Sequence, residues 1–338
     1  MTVLYRSGRS REGSGEPERT DRQREMHQSP RPAPPPRLEV IPPHPEQSFR
    51  VLSHDFPSQI CGWGSHPEYE IHLITKTHGS FIVGDHVSTF GPGHVSIIGP
   101  NLPHDWVSDV EPGEVATDRD TVIQFTEEWI RACMKLIPEL HELDEMLSLS
   151  RRGIVYSGAT AWRAAERMQK VLHSEGAQRL SHLFRLLALL SRAPIEERQA
   201  VASEWLAQPT DAGARAAVEA GIHYVLENLS GEVRLSTAAK LAYMSEPTFS
   251  KYFKFATGMT FSNMVKKLRV AQARRLLDST DYPITQVALQ SGYKNMANFN
   301  RQFLSEVGTT PTKYRRLESS QKPPSEVLSL GLRAPDEP

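Results

Sequence analysis

The chain has 338 residues with 39 Lys and Arg against 40 Asp and Glu, a formal net charge of −1 and 38% hydrophobic residues, and no stretch approaches the roughly 18 apolar residues a membrane helix needs. The Arg- and Glu-rich start has no apolar segment behind it and does not read as a secretory signal. Two cysteines, Cys61 and Cys133, are too few for a disulfide scaffold or a cysteine-cluster zinc site, so a reducing cytoplasm is the expected compartment.

Charge is spread unevenly. Residues 1–37 carry 8 basic and 5 acidic side chains, 38–212 carry 14 and 24, 213–318 carry 15 and 8, and 319–338 carry 2 and 3. An acidic middle joined to a basic C-terminal part implies that one part meets a polyanion and the other does something else.

Residues 1–45 alternate Arg, Glu, Ser and Gly and become Pro-rich from Pro30 to Pro45. They bury too little apolar surface to offset their ordering entropy, so a disordered tail is expected, and Met26 is an alternative start. From Phe49 to Phe125, short β-rich runs (Ile71 to Thr75, Phe81 to Val83, Val95 to Ile98, Val122 to Phe125) are punctuated by Gly79, Gly84, Gly91-Pro92-Gly93 and Gly99-Pro100. Many short strands at this spacing argue a sandwich or barrel. Helical periodicity follows. Trp129, Ile130, Cys133, Met134 and Ile137 form one stripe, and Leu180, Leu183, Phe184, Leu187 and Leu190 form a stronger one, wide enough either for an ordinary core helix or for a dimer contact as well. The small and polar residues from Gln208 to Gly213 mark a linker.

The C-terminal part contains an internal repeat. A shift of fifty superimposes Ala238 on Ala288, Tyr243 on Tyr293, Phe249 on Phe299, Lys251 on Arg301, Phe253 on Phe303, Gly258 on Gly308 and Thr260 on Thr310. Each copy has an Ala-rich helix (Ser236 to Ala242; Ile284 to Leu289), a tight turn, and a second helix opening on Ser245 or Asn295 and ending before Gly258 or Gly308. Phe at i and i+4 puts 249 with 253, and 299 with 303, on one buried face, and leaves Ser250, Lys251, Asn300 and Arg301 outward. Two short helices across a tight turn with a basic outer face read as a helix-turn-helix. Phe261, Met264, Val265, Leu268 and Ala271 define an amphipathic spacer helix between the copies, and Val218, Ile222, Val225, Leu226 and Leu229, closed by Gly231, define one that packs on the first unit.

Residues 213–317 resemble the DNA-binding domain of the AraC family of bacterial transcription regulators. The second copy carries the signature: Ile284, Val287, Ala288, Gly292, Tyr293, Asn298, Phe299, Arg301, Phe303, Gly308, Thr309, Thr310, Pro311, Tyr314 and Arg315. The resemblance implies recognition helices in successive major-groove segments, roughly 34 Å apart on straight DNA. It implies base-facing positions at Pro247, Ser250 and Lys251 in the first unit and at Met296, Ala297, Asn298 and Arg301 in the second. Lys240, Lys254, Lys266, Lys267, Lys294 and Arg315 are assigned to phosphates.

The stretch Trp63-Gly64-Ser65-His66-Pro67-Glu68-Tyr69-Glu70-Ile71-His72, with Gly84-Asp85, Pro92-Gly93 and Pro100-Asn101-Leu102-Pro103-His104, resembles the cupin sensor domain of the same family. Gly64, His66, Glu70 and His104 stand at the positions of a cupin metal set whose first His is missing. Strand parity puts His66, Glu70 and His72 on one face. These side chains are expected to hydrogen-bond a polar ligand or one another, with a divalent metal on His66, Glu70 and His104 as the alternative, so no cofactor is assigned. Trp63 and Trp106 either stack on a sugar-like ligand or fill the core.

The expected fold is α+β: a cupin-like β-barrel with following helices over 46–207, a linker at 208–213, an all-α domain with two helix-turn-helix units over 214–318, and a disordered tail at 319–338. The expected function is ligand-responsive transcription control, without enzyme activity. Expected partners are double-stranded DNA, a small-molecule effector, a second copy of the chain and, for an activator, RNA polymerase, with no membrane. The competing readings are a cupin metalloenzyme tethered to DNA, against which Gly64 counts, and an N-terminal domain that only dimerises. Two isolated cysteines exclude the cysteine-cluster alkyl transfer of DNA-repair relatives.

Overall fold

Strand alternation sorts the N-terminal half into layers. The computed structural model describes residues 47–58, 62–111, 113–203 and 212–321. The tail expected at 1–45, most of the linker and of the C-terminal tail, and Cys61 lie outside the described residues. Nine strands, β1 (Arg50–Phe56), β2 (Glu68–Ile74), β3 (Gly79–Val83), β4 (His86–Phe90), β5 (Val95–Ile98), β6 (His104–Ser108), β7 (Ala116–Thr126), β8 (Ile154–Tyr156) and β9 (Arg198–Ala200), form two antiparallel sheets in the orders β1-β7-β2-β5-β8-β9 and β4-β3-β6. An isolated backbone bridge pairs Gly64, ahead of β2, with His104 of β6.

The large sheet is buried on both faces. On one side Tyr69, Ile71, Leu73, Val95, Ile97, Ile123 and Phe125 lie under four helices, α1 (Glu127–Leu136), α2 (Asp144–Leu149), α3 (Gly158–Leu172) and α4 (Gly176–Ser191). Those helices contribute Ile130, Met134, Leu147, Met168, Leu183, Leu186, Leu187 and Leu190 to the same core. Both expected stripes therefore face the sheet, and Ile137, just past the end of α1, is 42% exposed. On the other side Ile74 and Ile98 meet Phe81, Val83, Phe90 and Trp106 of the small sheet.

Among the described residues seven helices follow: α5 (Ala212–Glu227), α6 (Leu235–Leu241), α7 (Glu246–Thr257), α8 (Phe261–Ser279), α9 (Ile284–Gln290), α10 (Met296–Val307) and α11 (Pro311–Gln321). The second helix of each unit is built by the same devices. Ser245 and Asn295 cap α7 and α10 with their side chains, and Gly258 (φ 71°) and Gly308 (φ 77°) end them in the left-handed region that glycine tolerates. Thr260 then accepts from the Asn263 N–H to start α8, as Thr310 accepts from the Lys313 N–H in α11. Phe249, Phe253, Phe299 and Phe303 are fully buried.

The repeat register needs correction. The first helices open at Leu235 and Ile284, 49 apart, whereas the second open at Glu246 and Met296, 50 apart. Backbone bonds fix the slip: Met244 N–H donates to Ala239 O as Tyr293 N–H donates to Ala288 O, and Tyr243 N–H to Lys240 O as Gly292 N–H to Leu289 O. Ala239, not Ala238, is thus the counterpart of Ala288, and Tyr243 corresponds to Gly292 rather than to Tyr293. Lys294 is the extra residue in the second turn. Accordingly Tyr293 is 5% exposed and Tyr243 83%.

The first unit shares its core with the sheets. Trp63 and Ile82 belong to the same apolar cluster as Val218, Ile222, Phe249, Phe253, Phe261 and Leu268. Alongside, Arg275 on α8 is paired with Asp109, and Arg274 Nη1 donates to Ser88 Oγ at 3.4 Å. The second unit has its own cluster of Val270, Leu277, Val287, Tyr293, Phe299, Phe303 and Tyr314. Truncating Phe299 to Ala empties the centre of that cluster. The expected cost is about 3–5 kcal/mol, measured as a lowered urea midpoint, whereas the exposed Asn300→Ala leaves the midpoint within about 0.5 kcal/mol.

Candidate functional site

Two groups of side chains carry chemistry, one between the sheets and one on the helical units. Between the sheets, alternation on β2 turns Glu70 and His72 toward β6. Glu70 is the hub. Its Oε2 accepts from His66 Nε2 at 2.9 Å and from Gln124 Nε2 at 3.0 Å, while its Oε1 lies 3.7 Å from His104 Nε2. His66 Nδ1 faces Glu68 Oε2 at 3.4 Å. His104 Nδ1 lies 2.8 Å from Leu102 O, which can only accept, so the proton of the neutral ring sits on Nδ1 and the Nε2 lone pair is turned to Glu70. One ligand atom from each of His66, Glu70 and His104 falls within 4.8 Å of the others.

Burial would raise the Glu70 carboxyl, but the hydrogen bond from His66 and the fields of His104, His66 and His72 outweigh it and hold the group well below the usual carboxylate range. Burial pushes His104 down to about 4. At neutral pH the cluster is therefore a carboxylate beside an uncharged His104 imidazole, a donor set that fits a divalent cation. Gly64 supplies no fourth ligand, since it contributes only backbone, its N–H donating to His104 O at 3.3 Å and its carbonyl accepting from His104 N–H at 2.9 Å.

The other expected sensor residues divide. His72 is not part of this cluster: its Nε2 lies 2.8 Å from Asp120 Oδ2, in a second network with His54 and Arg119. Burial opposes the Asp120 charge, but His72, His54 and Arg119 together hold its carboxyl far below the ordinary range. Trp106 lines the space between the sheets, edge-on to His72 at 4.2 Å and to His104 at 5.5 Å. Trp63 does not. It fills the core shared with α5 and α7. Sequence reasoning missed His54, Asp120 and Gln124. Cross-strand register offered the signal, because β7 pairs with both β1 and β2 and sets His54 opposite Asp120 and Gln124 opposite Glu70.

On the helical units Pro247, Lys251, Ala297 and Arg301 are exposed, and Ser250, Met296 and Asn298 are half-buried. Met296 packs on the second core. Asn298 Oδ1 accepts from Arg301 Nη2 at 2.9 Å and from Gln302 Nε2 at 3.2 Å, and Asn298 lines a groove of about 160 Å³ with Lys266, Arg269 and Tyr293. Lys240, Lys254 and Lys294 are exposed. Three of the residues assigned to phosphates already have partners within the fold. Lys266 Nζ lies 2.5 Å from Glu306 Oε1 and Lys267 Nζ 4.0 Å from Glu306 Oε2, tying α8 to α10, and half-buried Arg315 donates to Tyr282 O at 2.7 Å.

Residues 46–206 match the AraC-like ligand binding domain and residues 238–317 a helix-turn-helix domain. The chain belongs to the AraC family of transcriptional regulators. It is 32% identical over 105 residues to the regulatory protein PocR of Salmonella typhimurium, covering 31% of this chain and 35% of PocR. It is 22% identical over 263 residues to the HTH-type transcriptional regulator YfiF of Bacillus subtilis, covering 76% of this chain and 79% of YfiF. The DNA-binding domain of AdpA, solved with a target DNA, is 29% identical with a TM-score of 0.31 over 32% of this chain and 98% of that one. The chain thus spans only about a third of PocR. Among the described residues no helix is long and apolar enough to cross a membrane.

The buried imidazoles set the response to acid. Burial lowers His86 to about 4, His94 to about 3 and His104 to about 4. The unfolded chain takes up these protons near pH 6.5 and the folded chain only near 4 or below, so the part of the stability that these three groups control is full above about pH 6.5 and declines as pH falls toward 4. Each group contributes roughly 1.4 kcal/mol per pH unit within its window. Urea unfolding at pH 7.5, 6 and 5 should show the decline, and His94→Leu should flatten it.

Proposed function

We propose that the chain is a sequence-specific DNA-binding transcription regulator in which residues 214–318 read duplex DNA and residues 46–207 sense a small polar molecule. The observation that carries this reading is the repeated scaffold of cap, two buried phenylalanines and terminal glycine, which leaves Lys251, Lys254 and Arg301 exposed on the second helices. Lys251 and Arg301 can donate to guanine acceptors in the major groove, and Pro247, Met296 and Ala297 offer apolar contact to a thymine methyl. Ser250 can donate or accept. Asn298 pairs with adenine only by giving up its bonds to Arg301 and Gln302. Lys240, Lys254 and Lys294 meet phosphates and set register without reading sequence.

The effector site of this reading is the polar face between the sheets, built on Glu70, His66, His104, Gln124 and Trp106. The hydrogen bonds already closed by His66 and Gln124 on Glu70 favour a polar effector over a resident cation. Metal analysis of the purified protein separates the two: stoichiometric metal lost in both His66→Ala and His104→Ala would revive the metalloenzyme reading. The effector acts by binding two arrangements of the helical units with different affinity, in a homodimer that engages RNA polymerase when it activates.

A duplex selected by the protein from a randomised pool tests the DNA interface by fluorescence anisotropy at fixed salt. Lys251→Ala and Arg301→Ala are each expected to cost roughly 1–3 kcal/mol and to relax preference at one position, whereas Lys254→Ala weakens all sequences alike and lowers the salt slope by about one. Unchanged affinity and preference in Arg301→Ala would sink the assignment of the second recognition helix.

A further inference from the structure

The turn of the first helix-turn-helix unit carries a side chain that the fold does not use. Tyr243 has φ 55°, in the left-handed region, and is 83% exposed. A bulky residue there is an outlier, and an inference runs from such an outlier toward function. Its counterpart is Gly292 at φ 80°, where a Cβ would lie 2.4 Å from Leu229 O, so glycine is required in the second unit. In the first unit the backbone takes the same conformation with a tyrosine in it. The ring belongs to none of the apolar clusters, and among the described residues the phenol has no hydrogen-bond partner. The fold thus holds a left-handed backbone and a largely exposed aromatic ring that, among the described residues, joins no apolar cluster and makes no hydrogen bond through its phenol.

The placement points to one partner. The turn leads directly into Ser245, the cap of α7, and the Tyr243 N–H bonds the carbonyl of exposed Lys240. In the second unit the turn has one more residue, and that residue is the exposed cation Lys294 immediately before the cap Asn295. The first turn lacks this lysine. Each turn therefore presents one exposed long donor at the entrance to its recognition helix: an ammonium in the second unit, a phenol in the first.

We infer that Tyr243 is a DNA-backbone contact of the first unit, its phenol O–H donating to a phosphate oxygen on the rim of the groove that α7 enters, in the role that Lys294 fills for the second unit. The inference rests on the DNA-binding reading above. A phosphate accepts this bond whatever the neighbouring base, so Tyr243 adds affinity and register without sequence preference. A neutral donor displaces no counterion, which separates it from a lysine.

The test uses the full chain, the duplex it selects, and a scrambled duplex of equal length. Tyr243→Phe removes only the hydroxyl. It should weaken both duplexes by about 10-fold, as loss of a hydrogen bond to a charged group does, and leave the salt slope unchanged, whereas Lys294→Ala reduces that slope by about one. Tyr243→Gly should lose at least as much affinity while raising the thermal midpoint, because glycine relieves the backbone. Wild-type affinity in both variants overturns the inference. So does a loss confined to the selected duplex, which makes the ring a base reader, or full DNA affinity with lost transcription output, which makes the partner a protein. If the wild-type chain selects no duplex at all, the DNA-binding reading fails with it.

Discussion

Everything the helical units present outward depends on where their phenylalanines point. Two aromatic rings at i and i+4 on a twelve-residue helix fix its rotation about its own axis, because turning either ring to water forfeits the apolar burial that holds the helix down. With Phe249 and Phe253 inward, Lys251 and Lys254 have no choice but the outer face, and Phe299 with Phe303 does the same for Arg301. The caps act on the other degree of freedom. Ser245 with Gly258, and Asn295 with Gly308, fix where each helix begins and ends, so rotation and position along the axis are both set before any partner arrives.

The two units are anchored differently. The second closes its core with its own residues, including Tyr293 tilted against Phe299 and Phe303 edge-on to Tyr314. The first borrows Trp63 and Ile82 from the N-terminal half. Helix α8 runs through both cores and also carries Arg274 and Arg275, which reach Ser88 and Asp109. Alternation on β6 makes the junction directional: His104 and Trp106 face the polar space between the sheets, while buried Asp105 faces α5. There burial, opposed by Arg119 and reinforced by Glu219, lifts its carboxyl to about 7. One strand therefore has the candidate effector site on one side and the DNA-binding helices on the other.

The parts of this arrangement that were legible in the sequence are those set by local rules. The sensor motif located Glu70 and His66, although His66 precedes β2 and is not placed by strand parity; the Phe spacing located the recognition helices, and Ser, Asn and Gly marked their ends. Partnerships between distant segments were not legible. Nothing near His72 announces that it pairs with Asp120, 48 residues away, and not with Glu70. Sequence left Trp63 open between ligand platform and core, because its neighbours in sequence belong to the sensor motif, and in space it shares a core with Val218 and Phe249. The slip of one residue in the repeat was hidden because the strongest matches, the phenylalanines and glycines, all lie after Lys294, and identity of Tyr243 with Tyr293 then reads as agreement. Backbone hydrogen bonds, which sequence does not display, settle the register.

The same blindness inflates the apparent positive surface. Residues 213–318 carry 15 basic side chains, and eight of them are expected on DNA: Lys240, Lys251, Lys254, Lys266, Lys267, Lys294, Arg301 and Arg315. Yet Lys266 and Lys267 face Glu306, Arg269 donates to the carbonyls of Leu229 and Gly231, Arg275 pairs with Asp109, and Arg315 donates to Tyr282 O. A cation held by a carbonyl or carboxylate in the fold must lose that bond before it can meet a phosphate, and a half-buried one must also be drawn out of its packing. What remains on the described turns and second helices is sparse: Lys251, Lys254, Lys294 and Arg301, with Lys240 behind them. So small a set of charges makes each neutral donor at the rim of the recognition helices count for more, and gives the strained phenol of the first turn a physical reason to be kept.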